Sequence, residues 1–173
     1  MKLNLGCGNI RKEGWTNCDF VKTGATDKVF DMMKFPYPFK AGSIDEIELS
    51  EVLEHLPETI PVLKECHRVL KSEGTIHITV PYYLSYHAWS NPEHKRAFNF
   101  QTFKYFDAAN ELSKIHNFGF SFKSVRIKFR YGKGKNPLNY IFPAITNKCP
   151  DLVEKTFLKF MFCPEGLDVR IVK

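Results

Sequence analysis

No apolar run in the 173-residue sequence is long enough to cross a bilayer, so a transmembrane span is not expected. Its five cysteines, Cys7, Cys18, Cys66, Cys149 and Cys163, contain no Cys-x-x-Cys pair. That removes the usual spacing of a structural zinc site, and the odd number argues against a disulfide framework. There is no internal repeat and no low-complexity tract, which excludes a solenoid or a disordered linker. Met1-Lys2 leads straight into Leu3-Asn4-Leu5-Gly6 without a signal-peptide core, and a reducing cytoplasm is the expected compartment. The composition that is present suits one globular domain, with 43% hydrophobic and 25% charged residues. Aromatics are plentiful at 14%, 16 of them Phe, which argues for a well-filled core and against disorder.

The net charge of +6 is unevenly spread. Residues 1–90 carry ten Lys and Arg against twelve Asp and Glu, and residues 91–173 carry fifteen against seven. Two readings fit the basic half: a contact with something acidic, or a solvated lysine-rich surface.

Short extended segments alternate with turns. Lys2–Leu5 is an apolar run entering the turn Gly6-Cys7-Gly8. Trp15–Phe20, Thr26–Phe30 and Ile44–Leu49 read as further strands, with Phe35-Pro36-Tyr37-Pro38-Phe39 as a loop between the last two. Apolar residues at helical spacing, Val62, Leu63, Cys66, Val69 and Leu70, predict a helix over 58–71. Pro61 fits its first turn and Gly74 its C-terminal cap. Thr75–Val80 is a fifth strand. The alternation predicts a parallel sheet with helices on its faces. Beyond it, Phe98–Asp107 reads as a short helix. Val125, Ile127 and Phe129, then Leu167, Val169 and Ile171, predict an antiparallel C-terminal pair around an insertion at 131–165. The insertion is expected to be a cap on a single 1–173 domain. One helix in it, carrying Leu152, Val153, Phe157, Leu158, Phe160, Met161 and Phe162, is apolar around much of its circumference, and apolar surface needs cover. Its own core, a second copy or a peripheral membrane contact through 151–163 would each supply that.

The chemistry-bearing residues lie at strand ends, where open α/β sheets bind ligands. Gly6 and Gly8 let backbone approach a ligand. Arg11 stands where a dinucleotide fingerprint has its third glycine, and about nine residues before Trp15 are too few for a crossover helix. The first crossover helix is therefore short or absent. A pyrophosphate would lose its helix dipole, whereas a ligand without phosphates would lose nothing. This favours S-adenosylmethionine over a nicotinamide dinucleotide. The Asp19 carboxylate can accept from ribose hydroxyls, and that of Asp31 from an adenine amino group.

As an ordered set these segments resemble class I S-adenosylmethionine-dependent methyltransferases of the type 11 kind. Leu3–Gly8 looks like the family's first motif. Asp31 with 35–39 and then Ser43–Ile47 is similar to the stretch into its fourth strand. Glu51-Val52-Leu53-Glu54-His55-Leu56 and Glu65–Gly74 are similar to later blocks. The resemblance covers residues 2–81 and implies a three-layer, Rossmann-like α/β sandwich with a mostly parallel seven-stranded sheet. It implies that Gly6, Cys7 and Gly8 line the methionine part, that Asp19 holds the ribose with Phe20 beside the adenine, and that Asp31 and Met32 flank the adenine. It also implies that Ser50 and Glu51 approach the sulfonium or amino group. The chain departs from the family at Asn4, where many members have an acid that meets the cofactor's amino group.

His55 and His94 are the candidate catalytic residues, with no metal expected. His94, in the loop Asn91-Pro92-Glu93-His94-Lys95-Arg96, is a candidate general base; the alternatives are that His55 packs or caps a helix and that His94 is a solvated loop residue. The expected reaction is O-methylation of a small or carbohydrate-like acceptor between Tyr82, Tyr83, Tyr86 and Trp89, with Lys95 and Arg96 favouring an acid or phosphate. RNA methylation and a non-catalytic cofactor-binding module are the rivals. Ser50-Glu51-Val52-Leu53 stands where base-amino methylases carry their Asp/Asn-Pro-Pro-aromatic motif, so a nucleic-acid partner is disfavoured without being excluded.

Overall fold

The computed structural model describes residues 1–132 and 138–173; of the expected 131–165 insertion, 133–137 lie outside the described residues. Seven strands form one sheet: β1 (Lys2–Leu5), β2 (Thr16–Asp19), β3 (Lys28–Val29), β4 (Ile44–Ser50), β5 (Leu70–Pro81), β6 (Ser124–Arg130) and β7 (Gly166–Val172). Their order is β3-β2-β1-β4-β5-β7-β6. Strands β1 to β5 run parallel, and β7 inserts antiparallel between β5 and β6. The expected C-terminal pair is present, in register from Ser124 opposite Val172 to Arg130 opposite Gly166. Strand order reverses between β1 and β4, which opens a crevice at the carboxyl ends of these two strands.

The two faces of the sheet differ in kind. Leu3, Leu5, Ile47, Leu49, Ile76, Ile78, Val169 and Ile171 are at most 1% exposed and continue one another across neighbouring strands. The alternate positions Glu46, Glu48, His77 and Asp168 are only half-buried, and Arg170 is exposed. Parallel sheets covered on both faces read as continuous apolar runs, so this alternation marks a face without apolar cover. The crossovers explain it. The first helix, expected to be short or absent, is absent, and the next two crossovers, 20–27 and 30–43, also lack an α-helix. The 6–15 segment instead lays Lys12 against Glu48 and over the Trp15 ring, at 3.8 Å. None of the three crossovers between β1 and β4 carries an α-helix, so the cover they give the sheet is irregular.

Helix α1 (Ile60–Val69) buries Val62, Leu63, Cys66 and Val69, as its spacing predicts, with Pro61 in its first turn. It ends before the expected Lys71, because Leu70 is already extended (φ −65°, ψ 141°) and begins β5. Gly74, expected as the helix cap, lies inside β5 instead. A Cβ there would come within 2.9 Å of the Lys71 carbonyl oxygen, where the β4–β5 register shifts.

After β5 come α2 (Tyr86–Ser90), a 3₁₀ turn at Thr102–Phe106 and α3 (Glu111–Ile115). The expected 98–107 helix is thus reduced to that turn. The described part of the insertion contributes no strand and three short helices: α4 (Leu138–Thr146), α5 (Pro150–Lys155) and α6 (Leu158–Phe162). The single apolar helix expected at 152–162 is broken at Thr156, which is extended and returns its hydroxyl to the Leu152 carbonyl at 2.7 Å. Val153 is buried, whereas Leu152, Phe157, Phe160 and Met161 remain exposed. Part of the C-terminal basic charge falls on the edge strand β6, where exposed Arg126, Lys128 and Arg130 discourage edge-to-edge pairing. No helix among the described residues is long and apolar enough to cross a membrane.

Candidate functional site

A cleft of about 580 Å³ opens at the carboxyl ends of β1, β2 and β4. Gly6, Asp19, Phe20, Asp31 and Met32 line it after β1, β2 and β3, together with Glu51, Val52, His55, Glu93 and Lys95. The fold thus brings the expected Gly6, Asp19, Phe20, Asp31, Met32, Glu51, His55 and Lys95 to one cavity.

The turn after β1 is built for close approach. Gly6 has φ +71°, and a Cβ on it would fall 2.5 Å from Val52 Cγ2. Asp19, at the end of β2, accepts from the Gly8 N–H at 2.8 Å through Oδ2 and from the Val21 N–H at 3.1 Å through Oδ1. Two oxygens offer about four acceptor positions. Half remain for a vicinal diol such as ribose. Phe20 is 70% exposed beside it, a free aromatic face for a flat base. Asp31 Oδ1 accepts from the Met33 N–H at 2.8 Å, leaving its other oxygen for an exocyclic amine. These residues fit the adenosine part of S-adenosylmethionine.

Several expected contacts lie elsewhere. The Asn4 amide is buried and donates to Asn17 Oδ1 at 2.9 Å, so it supports the β1–β2 turn rather than lining the cleft. Cys7 is buried with its thiol 3.9 Å from the Thr26 hydroxyl. Gly8 acts through its bond to Asp19, and Ser50 pairs with Thr79 at 3.0 Å. Glu51 does face the cleft, with its carboxylate held by Arg130 at 2.5 Å. Of the aromatic wall expected for the acceptor, Tyr82 is fully buried and donates its hydroxyl to Glu154 at 2.7 Å, tying α5 to the end of β5. Tyr86 and Trp89 are exposed on α2, away from the cavity lining, and Arg96 donates to the Pro57 carbonyl. Lys95 reaches the cleft as expected.

The histidines come together through the 91–96 loop. His55 lines the cleft, and His94 sits edge-on to it with ring centroids 4.7 Å apart. Burial, then the neighbouring His94, lower the His55 pKa below its usual value. Sequence reasoning missed Glu54 between them. It is 1% exposed, and burial pushes its carboxyl up to about 7. Nothing local in Leu53-Glu54-His55 distinguishes it from a solvated acid, since its burial comes from the returning loop, whose Lys95 N–H donates to the Glu54 carbonyl at 2.7 Å.

The loop beneath the adenine end is pinned from α1. Glu65 accepts from the Tyr37 N–H at 2.6 Å and from Arg68, which also donates to the Phe39 carbonyl at 3.0 Å. The buried Tyr37 donates its hydroxyl to the carbonyl of Met32, a cleft residue, at 3.0 Å. The Glu65–Gly74 block is therefore a support for the cavity floor.

Comparison with known proteins matches residues 9–78 to the methyltransferase domain family. No curated protein matches the chain by sequence. Among solved structures, a SAM-dependent methyltransferase from Archaeoglobus fulgidus superposes over 99% of this chain and 85% of its own. Its TM-score is 0.61 at 17% identity. Phosphoethanolamine N-methyltransferase 2 from Haemonchus contortus, solved with S-adenosyl-L-methionine, matches over 99% of this chain and 48% of its own, with a TM-score of 0.60 at 15% identity. A chain solved in complex with the Trm112 methyltransferase activator of Haloferax volcanii matches over 99% and 81%, with a TM-score of 0.57 at 16% identity.

Proposed function

We propose that this chain, an S-adenosylmethionine-dependent methyltransferase by its fold and by the sequence of its cofactor half, methylates an oxygen of a small acceptor bearing an acid, phosphate or sugar. The observation that carries this reading is the continuity of one cavity from Asp19 to Lys95. Its volume of about 580 Å³ is that of a small-molecule site. A cofactor of drug-like size takes up most of it, and the room left at the Lys95 end suits a compact acceptor. The cofactor supplies an electrophilic methyl group; the protein's part is to align it with the acceptor and exclude water. Alignment of this kind lowers a barrier by roughly 7–11 kcal/mol. The ammonium of Lys95 favours an anionic acceptor as a point charge. The described parts of the 131–165 insertion are read as a cap of the single domain, anchored by the Tyr82–Glu154 bond and presenting Phe157, Phe160 and Met161 outward.

Mass spectrometry of products from a mixed library of sugars, phenols, acids, lipids and RNA, with labelled cofactor, tests this reading. Label is expected on a small acidic or hydroxylated acceptor. Methylated RNA as the only product would replace it, and cofactor binding without any product would identify a non-catalytic module.

A further inference from the structure

Among the described residues, the Glu54 carboxylate is the only buried side-chain group with no hydrogen-bond partner at either oxygen. Such a group is costly unless something satisfies it. Beside it stand the paired imidazoles. One ligand atom each from Glu54, His55 and His94 lie within 4.8 Å of one another. His94 Nδ1 is 3.1 Å from the Ala88 carbonyl oxygen. A carbonyl only accepts, so Nδ1 carries the hydrogen and Nε2 keeps its lone pair. Backbone fixation of the distal ring nitrogen is how metal-ligating histidines are oriented.

We infer that Glu54, His55 and His94 form a binding site for a divalent transition-metal cation of the zinc or manganese class. Two imidazoles and one carboxylate suit such ions better than magnesium or calcium, which prefer all-oxygen shells. In a tetrahedral shell, bonds of about 2.0–2.2 Å set ligand atoms roughly 3.3–3.6 Å apart, so the cluster is an expanded site whose most separated pair draws in by about 1 Å on binding. Three protein ligands leave coordination open, as in catalytic rather than structural sites. Because His55 and Lys95 both line the cleft, a cation held by this set would adjoin the cavity that takes the acceptor.

The site rests on the methyl-transfer reading for its chemistry, though not for its ability to bind metal. The acceptor hydroxyl oxygen occupies the open position, and the cation's charge lowers its pKa, so its proton passes to water. The oxygen lone pair then forms the O–CH₃ bond while the carbon–sulfur bond breaks and its electron pair stays on sulfur. Alcohol and sulfonium thus become ether, neutral thioether and one proton. This gives His94 a different role from the general base its loop position suggested, since a nitrogen holding a cation is not free to take a proton.

The test uses the full chain stripped with a chelator and titrated with Zn²⁺ or Mn²⁺ by calorimetry, with S-adenosylhomocysteine binding measured in parallel. One equivalent is expected to bind the wild-type protein and to raise its melting temperature. Glu54→Gln, which keeps the shape of the side chain, and His94→Ala are each expected to weaken metal binding more than the roughly 10–100-fold that outer-shell partners cost. His116→Ala, outside the cluster, should bind as wild type does. Retained S-adenosylhomocysteine binding by Glu54→Gln shows that the variant is folded. Metal binding that is absent from the wild type, or unchanged in Glu54→Gln, overturns the site. Metal binding without any affinity for S-adenosylhomocysteine sustains the site and removes the methyl-transfer reading instead.

Discussion

Gly6→Ala should destabilise the protein by about 2–5 kcal/mol and close the cofactor cradle. Two costs add. At φ +71°, a side chain is forced into the left-handed region, at roughly 1–2 kcal/mol. The new Cβ also sits 2.5 Å from Val52 Cγ2, a short branched side chain with little room to retreat, and overpacking of this kind costs roughly 1–3 kcal/mol. In a domain of this size each kcal/mol lowers the melting temperature by roughly 2–4 °C. Thermal denaturation should therefore show a fall of the order of 10 °C. Val52→Ala in the same chain removes the steric share and leaves the backbone share. The double variant should thus be more stable than the sum of the two single effects by about 1–3 kcal/mol. Strict additivity would show that Val52 does not bound the cradle.

Arg68→Ala should cost about 3 kcal/mol. Glu65 is buried, with its side chain about 10% exposed, and Arg68 supplies three of its hydrogen bonds. Removing one partner of a buried pair leaves an uncompensated charge, which costs roughly 3–5 kcal/mol, and the partial exposure of Arg68 argues for the low end. The Glu65→Ala/Arg68→Ala double variant should lose less than the sum of the single variants. The pH profile has a definite sign. Burial pushes the Glu65 carboxyl up, but the Arg68 and Tyr37 hydrogen bonds outweigh it and hold the pKa below the usual value. The contribution of this pair to stability is therefore full above the unfolded pKa of about 4.3 and is lost as pH falls through the lower folded value. Urea denaturation between neutral and acid pH should show a shallower acid loss in Arg68→Ala than in the wild type. The same change loosens Tyr37 and, through its bond to the Met32 carbonyl, the adenine wall. A variant as stable as the wild type would mean that the 35–39 loop holds itself in place.

The elements that could be read from the sequence are those whose cause is local. Lys2–Leu5 followed by Gly6-Cys7-Gly8, the apolar spacing of Val62, Leu63, Cys66 and Val69, and the alternation of Leu167, Val169 and Ile171 each dictate their own structure. Asp19 and Asp31 were legible as cleft acids because they close strands on the binding edge. What escaped was set by distant partners. Glu54 is buried by a loop about 40 residues downstream, through the Lys95 N–H. Tyr82 looks like a pocket wall until Glu154, contributed by α5, takes its hydroxyl. Gly74 has the signature of a helix cap, but Leu70 is drawn into the sheet first by pairing with Ile44. The polar alternation of Glu46, Glu48 and His77 was visible in the sequence. Its meaning, a face without helical cover, depends on three crossovers being too short or too irregular for helices.

Calorimetric titration of S-adenosylhomocysteine into the purified protein, beside the nicotinamide dinucleotide and with Asp19→Ala as the comparison chain, bears most directly on the cofactor cleft. One molecule of S-adenosylhomocysteine is expected to bind per chain, and the dinucleotide is expected not to compete. Asp19→Ala should weaken binding by roughly 1–3 kcal/mol, because the ribose hydroxyls lose their acceptor and the Gly8 N–H its anchor. Binding of the dinucleotide with none of S-adenosylhomocysteine, or an unchanged affinity in Asp19→Ala, would contradict the account.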